Sequence, residues 1–131
     1  MTEPQLVGQS LQASLTVKDL DASVRWYTDA FGFTVSRRVE RDGRVRSVAV
    51  QAGDVRILLN QDDGAKGWER VKGQGMSFQI TTNEPVDPIA ERIKAHGGTL
   101  DTEPQDMPWA RMFRVRDPDG FRWTISRAKS G

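Results

Sequence analysis

The sequence predicts an α+β fold built from two copies of one βαβββ unit. Three observations predict it. Short segments alternate apolar and polar residues with the period of a strand, and each half holds one stretch of helical period. The same order of elements also restarts after a polar, glycine-bearing linker.

The first alternating segment covers residues 11–17. Leu11, Ala13, Leu15 and Val17 point one way, and Gln12, Ser14 and Thr16 the other. In "KDLDASVRWYTDAFGF", Leu20, Val24, Tyr27 and Phe31 recur at helical spacing; Asp19 or Asp21 can cap the start, and Gly32 can stop the end. Residues 33–40 and 45–51 read as strands across an Asp42-Gly43 hairpin turn, and residues 55–60 as a further strand after Gly53-Asp54. The linker "QDDGAKGWERVKGQG" follows. Met76, Phe78 and Ile80 then alternate with Ser77, Gln79 and Thr81. "NEPVDPIAERIKAHGG" reads as a helix capped by Asn83 or Asp87, with Val86, Ile89, Ala90 and Ile93 on one face and Gly97-Gly98 as its stop. Residues 99–103 form a strand, and residues 111–116 and 121–127 a hairpin across Asp117-Pro118-Asp119-Gly120. Module one thus spans about 11–62, the linker 63–74 and module two about 75–127. Each is too small to hold a core alone, so residues 1–131 are expected to form a single domain.

Composition excludes several classes of function. Formal net charge is +1, from 19 basic and 18 acidic side chains, which leaves no electrostatic footprint for nucleic acid or an anionic membrane. Arg37, Arg38, Arg41, Arg44 and Arg46 are interrupted by Glu40 and Asp42 and read as a solvated hairpin. The absence of cysteine removes disulfides, thiolate metal sites and cysteine nucleophiles. The opening "MTEPQLVGQS" is not patterned as a secretory signal, and no apolar run reaches membrane-spanning length. A cytoplasmic protein is the expectation.

Three stretches carry a family likeness. "LQASLTVKDLDASVRWYTDAFGF" resembles the opening module of the glyoxalase/bleomycin-resistance/extradiol-dioxygenase (vicinal oxygen chelate) superfamily, "RVRDPDGFRWTIS" its closing hairpin, and "KAHGG" the end of its second helix. The resemblance covers about residues 11–127. It implies that the two βαβββ modules form a cupped, open mixed β-barrel with helices on the outside. It also implies a homodimer in which both chains shape the cavity.

Metal-dependent members of that family supply four side-chain ligands, which correspond here to Gln12, Leu58, Gly75 and Thr124. Glutamine replaces the first ligand in some family enzymes, but leucine and glycine offer no side-chain donor and threonine a poor one. Neither a metal nor another cofactor is therefore expected. The only histidine, His96, falls at a helix end, where a cation is favoured, and reads as a solvated cap.

Alternation then places Gln12, Ser14, Thr16, Arg56, Leu58, Asn60, Ser77, Gln79, Arg122 and Thr124 on the concave side. No nucleophile–base pair or paired carboxylate emerges among them, so no catalytic residue is assigned. Trp26 and Trp123 read as core residues. Trp68 and Trp109 lie in loops that can rim the cavity, with Met107 and Met112 nearby. They either stack on a flat ligand, adding about 0.5–1.5 kcal/mol each, or seal the dimer interface.

The site expected from sequence comprises Gln12, Ser14, Arg56, Leu58, Asn60, Trp68, Gln79, Met107, Trp109, Met112, Arg122 and Thr124. The function expected is sequestration of an aromatic or planar small molecule, with an antibiotic suggested by the family resemblance. A lyase, isomerase or dioxygenase with a non-standard site is the alternative, and an accessory dimer with a filled cup a third.

Overall fold

Each half of the chain forms its own four-stranded sheet, and the two sheets repeat one topology. The computed structural model describes residues 3–129. The first half runs β1 (Ala13–Val17), α1 (Leu20–Arg25), β2 (Thr34–Arg41), β3 (Arg44–Ala52) and β4 (Val55–Gln61). The second runs β5 (Phe78–Thr81), α2 (Val86–Ala95), β6 (Leu100–Asp106), β7 (Ala110–Arg116) and β8 (Arg122–Ala128). Strand orders are β1-β4-β3-β2 and β5-β8-β7-β6, with β1–β4 and β5–β8 parallel and the remaining pairs antiparallel. The α+β class and the two βαβββ modules agree with the expectation from sequence.

Local chemistry explains the turns. Asp42 and Gly43 both adopt positive φ, 54° and 76°, as a two-residue hairpin loop requires. Asp19 caps α1, its Oδ1 accepting from the Ala22 amide at 3.1 Å. The helix then widens into a π-helical turn, Trp26–Ala30, closed by the Phe31 amide donating to the Trp26 carbonyl at 3.0 Å. At the end of α2 the Gly98 amide donates to Ile93 O at 2.9 Å and the Gly97 amide to Lys94 O at 3.0 Å, with Gly97 at φ 84°. That is a Schellman cap.

Three expectations need correction. Leu11 is 93% exposed and precedes β1, because the ladder with β4 begins at the Ala13–Ile57 pair. Met76 is exposed for the same reason: β5 begins where Phe78 meets Trp123, and the residue that would face Met76, Phe121, lies outside β8. Neither Asn83 nor Asp87 caps α2, whose N-cap position is Pro85 without a side-chain bond. Asp87 sits inside the first turn, where its carboxylate takes both Arg111 Nε (2.7 Å) and Nη2 (2.9 Å).

The apolar faces of both sheets and the inner faces of the helices meet in one core. Leu15, Val17, Ile57 and Leu59 come from the first module, and Phe113, Val115, Trp123 and Ile125 from the second. Between them Tyr27 stands edge-on to Trp123, with ring centroids 6.1 Å apart. Trp26 packs at the margin of this core and Trp123 within it. Among the described residues, no helix is long and apolar enough to cross a membrane.

Candidate functional site

Because one face of each sheet is spent on the shared core, the period of two turns the opposite face outward. In the first module that face brings Ser14 beside Leu58, Thr16 beside Asn60 and Asn60 beside Ser47. In the second it brings Gln79 and Arg114 beside Thr124, and Arg116 beside Arg122. Each face opens into its own cleft. The first, of about 550 Å³, is walled by Thr16, Ser47, Asn60 and a charged rim. The second, of about 510 Å³, is walled by Gln79, Thr102, Arg114, Arg116, Arg122 and Thr124.

Hydrogen bonding fixes the floor of the first cleft. Asn60 Nδ2 donates to Ser14 Oγ at 2.9 Å and to Leu15 O at 3.3 Å, while its Oδ1 accepts from Ser47 Oγ at 2.7 Å. The amide is thereby locked in one orientation across three strands. At the edge, the buried Asp62 carboxylate accepts from the Gly64 amide and pairs with Lys72 Nζ (2.9 Å) and Arg70 Nε (3.1 Å). The Gly64 bond first, then the two cations, hold it well below the usual carboxylate range. Lys72 also reaches Asp119 at 3.5 Å, which ties the linker to the turn of the second module.

A second buried joint lies under that turn. Tyr27 Oη donates to Asp117 Oδ2 at 2.7 Å and accepts from Trp123 Nε1 at 3.0 Å. Asp117 Oδ1 accepts from the amides of Asp119 and Phe121, both at 2.9 Å. Burial pushes Asp117 up to about 6, against the pull of the Tyr27 hydroxyl and the Phe121 amide. Burial, then the facing carboxylate, pushes the Tyr27 phenol well above its ordinary range.

The residues singled out from sequence divide between these places. Asn60 lies in the first cleft, Ser14 accepts its hydrogen bond from outside the cleft wall, and Leu58 lies beside Ser14 half-buried. Arg56 is exposed on the same face opposite Gln51. Gln79, Arg122 and Thr124 stand together in the second cleft. Gln12 is exposed and precedes β1. Trp68 is half-exposed and packs over Gly64, so the linker it sits on is folded against it. Trp109 is 68% exposed at the β6–β7 turn beside Met107, and these three side chains wall neither cleft. Met112 is buried, with Nε2 of Gln105, its partner on the neighbouring strand β6, 3.7 Å from its sulfur.

Sequence reasoning missed Ser47, Thr102, Arg114 and Arg116, which alternation along β3, β6 and β7 could have found. It also read Arg41 and Arg46 as merely solvated, whereas they rim the first cleft with Lys66 and Arg70.

The donor set does not fit a metal ion. Leu58 and Gly75 carry no side-chain donor, Gln12 and Gly75 precede their strands, and the neighbour of Thr124 on β5 is Gln79. Among the described residues no three His, Cys, Asp or Glu side chains gather to hold a metal. His96 ends α2, its Nδ1 3.0 Å from Arg92 O, and walls neither cleft. The arrangement can hold and orient a polar molecule through amides, hydroxyls and guanidiniums. It places no nucleophile beside a general base.

Comparison with known proteins agrees with this architecture. Residues 9–125 match the sequence model of the Glyoxalase/Bleomycin resistance protein/Dioxygenase superfamily. A putative lactoylglutathione lyase from Brassica oleracea var. gemmifera is 27% identical over 116 residues, covering 83% of this chain. The chain spans only 40% of that relative's length. A glyoxylase/bleomycin resistance protein/dioxygenase domain from Frankia sp. EAN1pec superimposes with a TM-score of 0.76 at 28% identity, over 97% of this chain and 96% of that one. TnmS3, an antibiotic binding protein from Streptomyces sp. CB03234, superimposes with a TM-score of 0.74 at 18% identity, over 96% of this chain and 100% of that one.

Proposed function

This chain belongs to the Glyoxalase/Bleomycin resistance protein/Dioxygenase superfamily, and from that premise we propose that it is a metal-independent, cytoplasmic binding protein that sequesters a small aromatic or planar molecule. The observation that carries the reading is the lining of the two clefts: Asn60, Gln79 and Thr124 can orient a ligand, and the carboxylates beside them, Asp62 and Asp101, are held in ion pairs with Lys72, Arg70 and Arg116. An antibiotic is the ligand class in view because TnmS3, which shares the fold, is an antibiotic binding protein. Residues 1–131 act as one domain in this reading, and a homodimer sets the first cleft of one protomer against the second cleft of its partner. Trp68 and Trp109, exposed and outside both clefts, then contact the partner or the ligand at the rim.

Titrating the protein with a panel of aromatic antibiotics, following tryptophan fluorescence, tests the proposal, because Trp123 borders the second cleft. We expect saturable quenching, a dimer by analytical ultracentrifugation, and raised drug tolerance in cells expressing the protein. Absence of binding together with unchanged tolerance would sink the reading. A lyase is the second reading, favoured by the 27% identity to the Brassica protein. Finding a stoichiometric divalent ion after purification without chelators would favour it over the first.

A further inference from the structure

The second cleft carries a charge that the fold does not explain. Arg114 and Arg116 lie two residues apart on β7 and so share a face, and Arg116 stands directly opposite Arg122 on β8. Like charges placed directly across a ladder are destabilising. One carboxylate answers these three guanidiniums: Asp101, which accepts from Arg116 Nε at 2.8 Å. Among the described residues, neither Arg114 nor Arg122 makes an ion pair with a carboxylate. The first cleft differs, since its Arg41, Arg46, Lys66 and Arg70 are interleaved with Asp42, Asp62 and Asp63. In a chain whose formal net charge is only +1, the excess is therefore local to one pocket wall.

We propose that the second cleft is a subsite for the acidic group of the ligand, a carboxylate, sulfonate or phosphate, gripped by Arg114 and Arg122. The proposal rests on the binding function above and adds the chemistry that selects the ligand. Guanidinium forks match the paired oxygens of such groups. The flanking residues suit the same role. Thr124 sits between Arg114 and Gln79 in the cross-strand register, with a hydroxyl that can donate to an anion. Thr102 Oγ1 already accepts from the Arg114 amide at 3.0 Å, which leaves its own proton for another acceptor. A space of about 510 Å³ holds an acidic group together with a fused ring. A bound anion would also relieve the repulsion between Arg116 and Arg122, a gain open to no neutral ligand.

Isothermal titration of the full chain with three matched probes tests this: 2-naphthoate, 2-naphthalenesulfonate and the uncharged 2-naphthamide. We expect both acids to bind at least tenfold more tightly than the amide, with affinity falling as sodium chloride rises. Arg114→Gln/Arg122→Gln should abolish that advantage, and Arg114→Lys/Arg122→Lys, which keeps the charge but loses the fork, should restore part of it. All three arginines are exposed, and thermal melts check that the variants remain folded. Equal affinity for acid and amide overturns the proposal. So does acid binding that survives both substitutions, or failure of both acids to bind. If neutral aromatic antibiotics bind while the acids do not, the binding function stands and the acidic subsite falls. If the acids bind through these arginines and no antibiotic binds, the subsite stands and the antibiotic reading falls.

Discussion

The Asp117 carboxyl is buried, yet it faces three hydrogen-bond donors, so desolvation and hydrogen bonding act on it in opposite directions. Desolvation prevails and raises it from the ordinary 3.8 to about 6. A raised acid favours its neutral form in the folded state. Its stabilising contribution is therefore complete below pH 3.8 and is lost as pH climbs through about 6. The loss amounts to roughly 3 kcal/mol at about 1.4 kcal/mol per pH unit. Asp62, held low by the Gly64 amide, Lys72 and Arg70, acts in the opposite sense and stabilises the fold above the ordinary carboxylate range. The raw pH curve sums the two, so the difference between variants is the informative quantity. Urea denaturation at pH 4 and pH 7 should show Asp117→Asn losing less stability over that interval than the parent protein. Equal slopes would mean that Asp117 does not titrate there. The sequence marks "DPDG" as a turn and nothing more. That its first residue drops beneath Tyr27 depends on how the modules pack, which no local pattern encodes.

Element ends follow from backbone chemistry where a glycine decides them and from pairing where it does not. Gly97 at φ 84° closes α2, and its successor donates back to Ile93. Gly97→Ala forces an L side chain into the left-handed region and is expected to cost about 1–2 kcal/mol, read as a lower urea midpoint with an unchanged m-value. The helix stop at Gly97-Gly98 and the turn at Asp42-Gly43 were legible because each requires positive φ. The starts of β1 and β5 were not: Leu11 and Met76 continue the alternation, but the parallel ladders begin only at the Ala13–Ile57 and Phe78–Trp123 pairs. The π-helical turn at Trp26–Ala30 was equally invisible, since one added residue barely disturbs the helical spacing of Leu20, Tyr27 and Phe31. Its effect lies in direction, because it belongs to the segment that carries Tyr27 toward the second module.

On the scale of the whole molecule, the duplicated element order was plain in the sequence, and so was the outward face of each sheet. Ser14, Asn60, Gln79 and Thr124 were placed on those faces because alternation assigns a face whatever that face opposes. The pairing of Arg116 with Arg122 needed the β7–β8 register, and the separation of the clefts needed the arrangement of the sheets about one core. Trp68 and Trp109 show the limit most clearly: loop residues have no period to read, and their position depends on what the loop folds against.

The joint between the modules has an optical consequence. Tyr27 is the only tyrosine in the chain, so absorbance of phenolate near 295 nm can come from nowhere else. Its hydroxyl is locked between Asp117 and Trp123, and the folded protein resists its ionisation. Stability from this group is held below the ordinary tyrosine value of about 10 and is lost above it. An alkaline titration should therefore show the phenolate band arriving in one cooperative step, coincident with loss of near-ultraviolet circular dichroism. A gradual rise ahead of that loss would mean the joint opens while each module stays folded, so a single chromophore reports whether the two halves separate before they melt.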